Sequence, residues 1–324
     1  MSRDVPAGIT SIDIVCAVLN GGPYIADFIR SVQAQSHQAW RLWLRDDGST
    51  DDTVPILEAL ARDDSRIEIL HTGGPPLGAA RAFSWLIGRV PHDATYIMCG
   101  DADDVWLPEK MERELAAMQA AERFSPGPVL LHTDLAVVDA QLALIHPSFW
   151  QYAHIDPDPV SLRRVVVQNM ATTSTIMLNR PLFELIGEVP AEARYQDWWF
   201  ALVAAAFGRI VAIHEATVLY RQHPTNTVGA RPKERITLSN VAREMLGALR
   251  RTARVREDLV LSCRQADAFA RRYGGALEDE DRRFLHAYSR INTHGLLRRK
   301  FEIMRLRLRP EHGLLRNLGV LLRA

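Results

Sequence analysis

The sequence predicts an α/β fold, a mainly parallel central sheet flanked by helices, with a C-terminal helical appendage. Three observations carry this prediction. Apolar runs of strand length alternate with helical periodicities from Ile12 to Cys99. These runs end in polar loops, as parallel strands do before a crossover helix. From about Pro232 onward the strand pattern stops, and Leu and Ala interleave with Arg at helical spacing. The 324 residues are 47% apolar and 24% charged, with a formal net charge of zero, which suits a large globular unit carrying an appendage. The expected division is a domain over residues 1–230 and a helical region over residues 231–324.

In order, Ile12 to Leu19 has buried-strand length, and Asn20-Gly21-Gly22-Pro23 is a loop. Tyr24, Ile25, Phe28, Ile29 and Val32 then recur at helical spacing. Trp40 to Leu44 is a second strand, and the Asp46–Asp52 cluster behind it offers an N-cap for a helix over Thr53 to Ala61. Arg66 to Leu70 is a third strand, followed by a Gly/Pro turn, a helix from Gly78 to Gly88, and a strand at Tyr96. Pro108 to Arg123 reads as a helix. Val129 to His132 and Leu135 to Leu144 read as two strands, with His132 a hydrogen-bonded structural histidine. Phe149 to Tyr152, with His154 to Pro159 behind it, reads as a loop that either contacts the acceptor or packs over the sheet edge. A helix runs from Trp198 to Gly208 with Asp197 at its N-cap. Ile210 to Ile213 and Thr217 to Tyr220 read as two short strands. Helices follow over Val255 to Tyr273, Leu296 to Leu308 and Leu314 to Leu322.

In such sheets ligands bind outside the carboxyl ends of the strands. The Asn20, Asp46/Asp47 and Asp101 loops all lie at that edge. Cys99-Gly-Asp-Ala-Asp-Asp-Val-Trp106 brings three carboxylates to a strand end. Carboxylates that close repel unless a cation lies between them. Oxygen ligands suit Mg²⁺ or Mn²⁺, and diphosphate oxygens can complete the octahedron. The stretch therefore reads as a strand end presenting a divalent metal to a nucleotide diphosphate; the plainer alternative is a solvated turn before a capped helix. Asp47 can accept the imide N–H of a uracil or thymine ring, or cap the next helix. Arg81 can pair with a phosphate or the base. No Gly-x-Gly-x-x-Gly follows the first strand, which removes the main support for a dinucleotide fold.

The segments Ile14–Tyr24, Ser31–Ser36, Arg45–Thr53 and Cys99–Trp106, in this order, resemble the inverting family 2 glycosyltransferases of the GT-A (nucleotide-diphospho-sugar transferase) fold, and within them the rhamnosyltransferase-like branch. The resemblance spans about residues 10 to 230. It implies that Asp47 holds the base and that Asp101 contacts the ribose or the metal. Asp103 would be the most direct metal ligand, with Asp104 supporting it. Backbone at Ala17 and Leu19, with Asn20, would line the nucleotide pocket, and Arg81 would lie beside base or diphosphate. One departure is Leu19, where many relatives have a tyrosine before the asparagine. Asn169–Ile176, with Thr173, resembles the segment that floors the donor sugar. Asp197 resembles the family's base, which takes the acceptor hydroxyl proton. Trp198 and Trp199 would offer an apolar platform to the acceptor or fill the core. The Arg221–Gly229 segment would close over the diphosphate, with His223 on the metal and Arg221 neutralising phosphate charge.

The implied function is metal-dependent transfer of a sugar from dTDP-rhamnose or a UDP-hexose to a glycan or lipid-linked acceptor, in cell-surface polysaccharide synthesis. Two alternatives are a nucleotidyltransferase acting on sugar phosphates and a non-catalytic nucleotide-sugar binding protein. The first lacks its usual basic phosphate loop, since no Lys or Arg follows Asn20-Gly21-Gly22 at once. Charge balance argues against nucleic acid as a partner. Three cysteines without a framework suit a reducing, cytoplasmic setting. No signal core or run of about 20 apolar residues is present. From Arg290 onward nine Lys/Arg face two Asp/Glu, so the basic C-terminal helices are candidates for peripheral contact with anionic membrane.

Overall fold

The computed structural model describes residues 10–158, 161–224, 226 and 241–306. The boundary expected at residue 230 and the helix expected over Leu314 to Leu322 lie outside the described residues.

A single curled sheet organises the described chain. Strands β1 (Ile12–Val18), β2 (Trp40–Asp46), β3 (Ile67–His71) and β4 (Tyr96–Asp101) are parallel, in the spatial order β3-β2-β1-β4. Beyond β4 the sheet turns mixed. Strand β8 (Met177–Asn179) is antiparallel to both β4 and β6 (Val129–Val138), and β9 (Arg209–Arg221) is parallel to β6. The two-residue β5 (Val105–Trp106) closes that edge against β9, and β7 (Leu144–His146) pairs β6. The mainly parallel, helix-flanked sheet expected from the sequence is the one observed.

The crossover helices cover both faces, so the strands are apolar on both sides, as parallel strands must be. Ile14 and Cys16 face one core with Phe28 and Ile29 of α1 (Ile25–Gln33). Val15 and Cys99 face the other, with Phe83 of α3 (Ala79–Ile87) and Phe200 of α8 (Gln196–Phe207). In the register, Ala17 lies level with Arg45 on one neighbour and Asp101 on the other. The carboxyl ends of β1, β2 and β4 therefore meet at one rim.

Three readings of the sequence are corrected. The two strands expected over 129–144 are one ten-residue strand whose register shifts at Asp134. Asp134 is buried there because its Oδ1 accepts from Leu135 N (2.8 Å) and Trp150 N (3.1 Å), so a polar pair sits inside a strand as a bulge. Likewise Arg209–Arg221 is one strand, with exposed His214 and Glu215 between its halves. The expected loop at Phe149–Tyr152 is a short helix, Phe149–Ala153, capped by Ser148, whose side chain accepts from Gln151 N.

The C-terminal helices share a core with the sheet domain. From α9 (Val241–Tyr273), Phe269 and Tyr273 pack on Trp199 of α8, with ring centroids 5.4 and 6.1 Å apart. Phe284 and Tyr288 of α10 (Asp279–Ser289) extend the same cluster.

Candidate functional site

Polar bonds lace the loops of the rim together. Asn20 adopts a left-handed backbone (φ 53°), and its Oδ1 accepts from Thr50 N (2.8 Å) while its own N–H donates to Ser49 Oγ (2.7 Å). Gly22 N–H donates to Asp51 Oδ2 (3.1 Å). The loops after β1 and β2 are thereby one unit, with Leu19 half exposed above Ala17. The adjacent acids are buried in turn. Asp46 accepts from Gly48, Ser49 and Gly73 N–H groups. Asp47 accepts from Leu77 N (2.9 Å) and Gly78 N (2.8 Å) and pairs with Arg45. It fixes the loop that leads into α3 rather than capping the helix over Thr53–Asp63. Arg81, one turn further on, is exposed and lines a cavity of about 600 Å³ with Leu77 and Trp85.

The carboxylate loop after β4 is the charged centre. Gly100 lets it close: a Cβ there would lie 2.3 Å from Phe28 Cζ. Burial, with the charges of Asp103 and Asp197, pushes the Asp101 carboxyl well above the usual range. Burial, with the charges of Asp103 and Asp101, does the same to Asp104. Asp104 Oδ1 accepts from Arg221 N (3.2 Å), and its buried Oδ2 has no partner among the described residues. Asp103 Oδ2 lies 2.9 Å from His223 Nε2 and 3.3 Å from Asn226 Nδ2. His223 in turn stacks on Tyr24, ring centroids 4.5 Å apart.

A divalent cation fits this donor set. Several carboxylates repel one another here, one buried oxygen lacks a partner, and a carboxylate–imidazole pair stands at hydrogen-bond distance. Among the described residues no three His, Cys, Asp or Glu side chains form a ready cage. An open set of protein ligands completed by substrate oxygens is how Mg²⁺-type sites are commonly built.

Asp197 stands at the first turn of α8, though not as its cap. The N-cap is Tyr195, and no side chain bonds there. Asp197 Oδ1 accepts from Asn169 Nδ2 (2.9 Å) and Trp198 N (2.6 Å). Its Oδ2 accepts from Thr173 N (3.2 Å) and Thr173 Oγ1 (3.1 Å), and Gln196 Nε2 donates to that hydroxyl (2.9 Å). Burial still lifts its pKa to about 6. Because its charge acts on Asp101, Asp197 and the carboxylate loop share one electrostatic field.

Comparison with known proteins matches residues 13–132 to the model of glycosyl transferase family 2. Over these residues, a little over a third of the chain, it is similar to the family 2 glycosyltransferases. TuaG of Bacillus subtilis (strain 168), a candidate teichuronic acid biosynthesis glycosyltransferase, is 31% identical over 110 residues, 33% of this chain and 41% of that protein. An uncharacterized glycosyltransferase of Nostoc is 25% identical over 225 residues, 66% of each. The chain thus spans between about two fifths and two thirds of these relatives' lengths. Among solved structures, S. aureus TarS 1-349 in complex with UDP-GlcNAc superposes with a TM-score of 0.57 at 14% identity, over 92% of this chain and 78% of that one.

Against this family 2 frame, several residues play parts that the sequence did not show. Trp198 and Trp199 are both core. Trp199 is fully buried against Phe269, and Trp198 donates its indole N–H to Val165 O (2.5 Å). Neither presents a ring face to an acceptor. Arg221 is buried and occupied: Nε donates to Asp103 O, Nη1 to Ala140 O and Nη2 to Asp27 Oδ2, all at 2.9 Å, and the guanidinium lies over Tyr24. It positions the carboxylate loop, and its guanidinium is fully engaged within the protein. Thr173 is buried and holds Asp197. His132 is buried with neither ring nitrogen bonded among the described residues, not hydrogen-bonded as expected, and burial lowers its pKa to about 4. Asn169, Asn226, Tyr24 and Asp27 join the site through contacts between residues far apart in the chain. Of these, Asp27 alone lies outside the segments that the motifs had marked.

Proposed function

We propose that this protein is a metal-dependent, inverting glycosyltransferase. The observation that carries the reading is the pairing of Asp103 with His223 on the same rim as a buried, hydrogen-bonded Asp197. The donor is a nucleotide-diphosphate sugar, dTDP-rhamnose or a UDP-hexose. Solved structures of similar fold are described with UDP, with UDP-GlcNAc, and, for a mannosyltransferase of Pyrobaculum calidifontis (TM-score 0.53, 15% identity, 91% of this chain and 72% of that one), with GDP-Man and Mn²⁺. The acceptor is a glycan or lipid-linked glycan, which the teichuronic acid description of one relative supports.

Asp103 and His223 would hold Mn²⁺ or Mg²⁺, with Asp101 beside them toward the ribose. Bound there, the cation supplies positive charge for the leaving diphosphate. Backbone at Ala17, Leu19 and Asn20 borders the nucleotide. Asp47 fixes the Leu77–Gly78 loop that flanks the base, and Arg81 follows on the helix behind it. Asp197 takes the proton of the attacking hydroxyl. Asn169 and Trp198 N–H hold one oxygen, while the place of the Thr173 hydroxyl at the other is one that an acceptor hydroxyl can take. The three cysteines are free and buried, and no described helix is long and apolar enough to cross a membrane. Both suit a cytoplasmic enzyme placed peripherally on the membrane's inner face.

A thermal-shift panel of nucleotide sugars with and without Mn²⁺ tests the donor. A rise in Tm that requires both a UDP- or dTDP-sugar and the cation is the expected result. No shift with any nucleotide sugar overturns the reading.

A further inference from the structure

The helix α11 (Leu296–Arg305) turns three large apolar side chains outward. At 100° per residue, Leu297, Phe301 and Met304 fall within about 60° of one another. They are 84%, 57% and 56% exposed. The opposite side meets the protein. Arg299 Nη2 donates to the carbonyls of Asn292 (3.4 Å) and His294 (3.2 Å), and Leu306, just past the helix, packs on the core. A helix of a globular protein normally turns large apolar side chains such as these inward. Exposed Arg298 borders the outward stripe, as does exposed Arg305, whose Nε donates to Glu302 Oε2 (2.7 Å). The chain as a whole balances 39 basic against 39 acidic residues, yet nine of the basic and two of the acidic fall from Arg290 onward.

We infer that α11 docks on an anionic phospholipid surface. Leu297, Phe301 and Met304 enter the acyl boundary, and Arg298 and Arg305 meet headgroup phosphates. Charge decides the occupant. A second copy seated on the same stripe would set these arginines against their own counterparts, whereas an anionic bilayer complements them. This inference rests on the peripheral location proposed above and not on glycosyl transfer, so it is measured without donor or acceptor.

The test is flotation of the full chain with phosphatidylcholine vesicles and with phosphatidylcholine–phosphatidylglycerol vesicles. Binding is expected to the second alone and to weaken as salt rises. Replacing Leu297→Ser and Phe301→Ser together is expected to lower the bound fraction at least about tenfold, with Tm unchanged because both side chains are exposed. Absent flotation with phosphatidylglycerol, equal flotation with neutral vesicles, or flotation indifferent to the double substitution overturns the inference. So does a double substitution that converts a dimer to a monomer in sedimentation.

Discussion

Asp197 is held by four hydrogen bonds and yet is lifted to a pKa of about 6, with burial the leading cause. A general base near neutrality is effective because it is both ionised and basic enough to take a proton. The activity of the free enzyme, as kcat/KM, is therefore expected to rise with pH through about 6 and then level. Asp197→Asn should lower kcat by roughly 10²–10⁴-fold while calorimetry finds donor affinity unchanged; equal loss of both would remove the base role. The same shift has a stability sign. A carboxyl whose folded pKa exceeds its unfolded one stabilises the fold at pH below the unfolded value of about 4. That contribution is lost as pH rises through about 6, so the Asn variant should gain relative to the parent above that pH. Asp103→Asn removes the anionic partner of His223, and Mn²⁺ affinity should fall at least about tenfold by titration. The places of Asp47, Asp103 and Asp197 at strand or helix ends were legible in the sequence, because each follows or opens a local apolar pattern. The burial of Trp198, Trp199 and Arg221 was not, because it depends on Val165, Phe269, Ala140 and Asp27, all distant in sequence.

The first four strands follow directly from apolar runs and the turns between them, since each is a local pattern. Strands β6 and β9 did not, because Thr133-Asp134 and His214-Glu215 look like breaks, and only pairing across the sheet carries the chain through them. The carboxylate loop depends on a contact of the same long-range kind. Gly100 sits against Phe28, which packs edge-on against Trp106 with centroids 5.6 Å apart. A methyl group there must push the ring out of place. Gly100→Ala is expected to destabilise by about 1–3 kcal/mol in urea unfolding, and to weaken metal binding because the strand ends in Asp101. Unchanged stability would show that Phe28 yields freely. The Arg221 guanidinium ties the end of β9 to α1 through Asp27 and to the carboxylate loop through the Asp103 carbonyl, and it lies over Tyr24, on which His223 stacks.

The expected appendage is joined to the sheet domain through α8. Trp199 belongs to the helix that carries Asp197, and its ring faces Phe269 and Tyr273 of α9. Trp199→Ala should cost about 3–5 kcal/mol, and a chain ending at residue 240 should melt lower than the full chain by calorimetry. An unchanged Tm would mean that residues 1–230 stand alone as a folding unit. The central claim joins the parts: a cation on Asp103 and His223, a nucleotide sugar across it, and Asp197 opposite. Release of nucleoside diphosphate from UDP- and dTDP-sugars, followed before and after EDTA treatment and Mn²⁺ re-addition, tests it most directly. The account predicts release with the cation, loss with EDTA, recovery with Mn²⁺, and little release from Asp197→Asn despite intact donor binding. Release that is indifferent to EDTA, or that persists unchanged in Asp197→Asn, would contradict it.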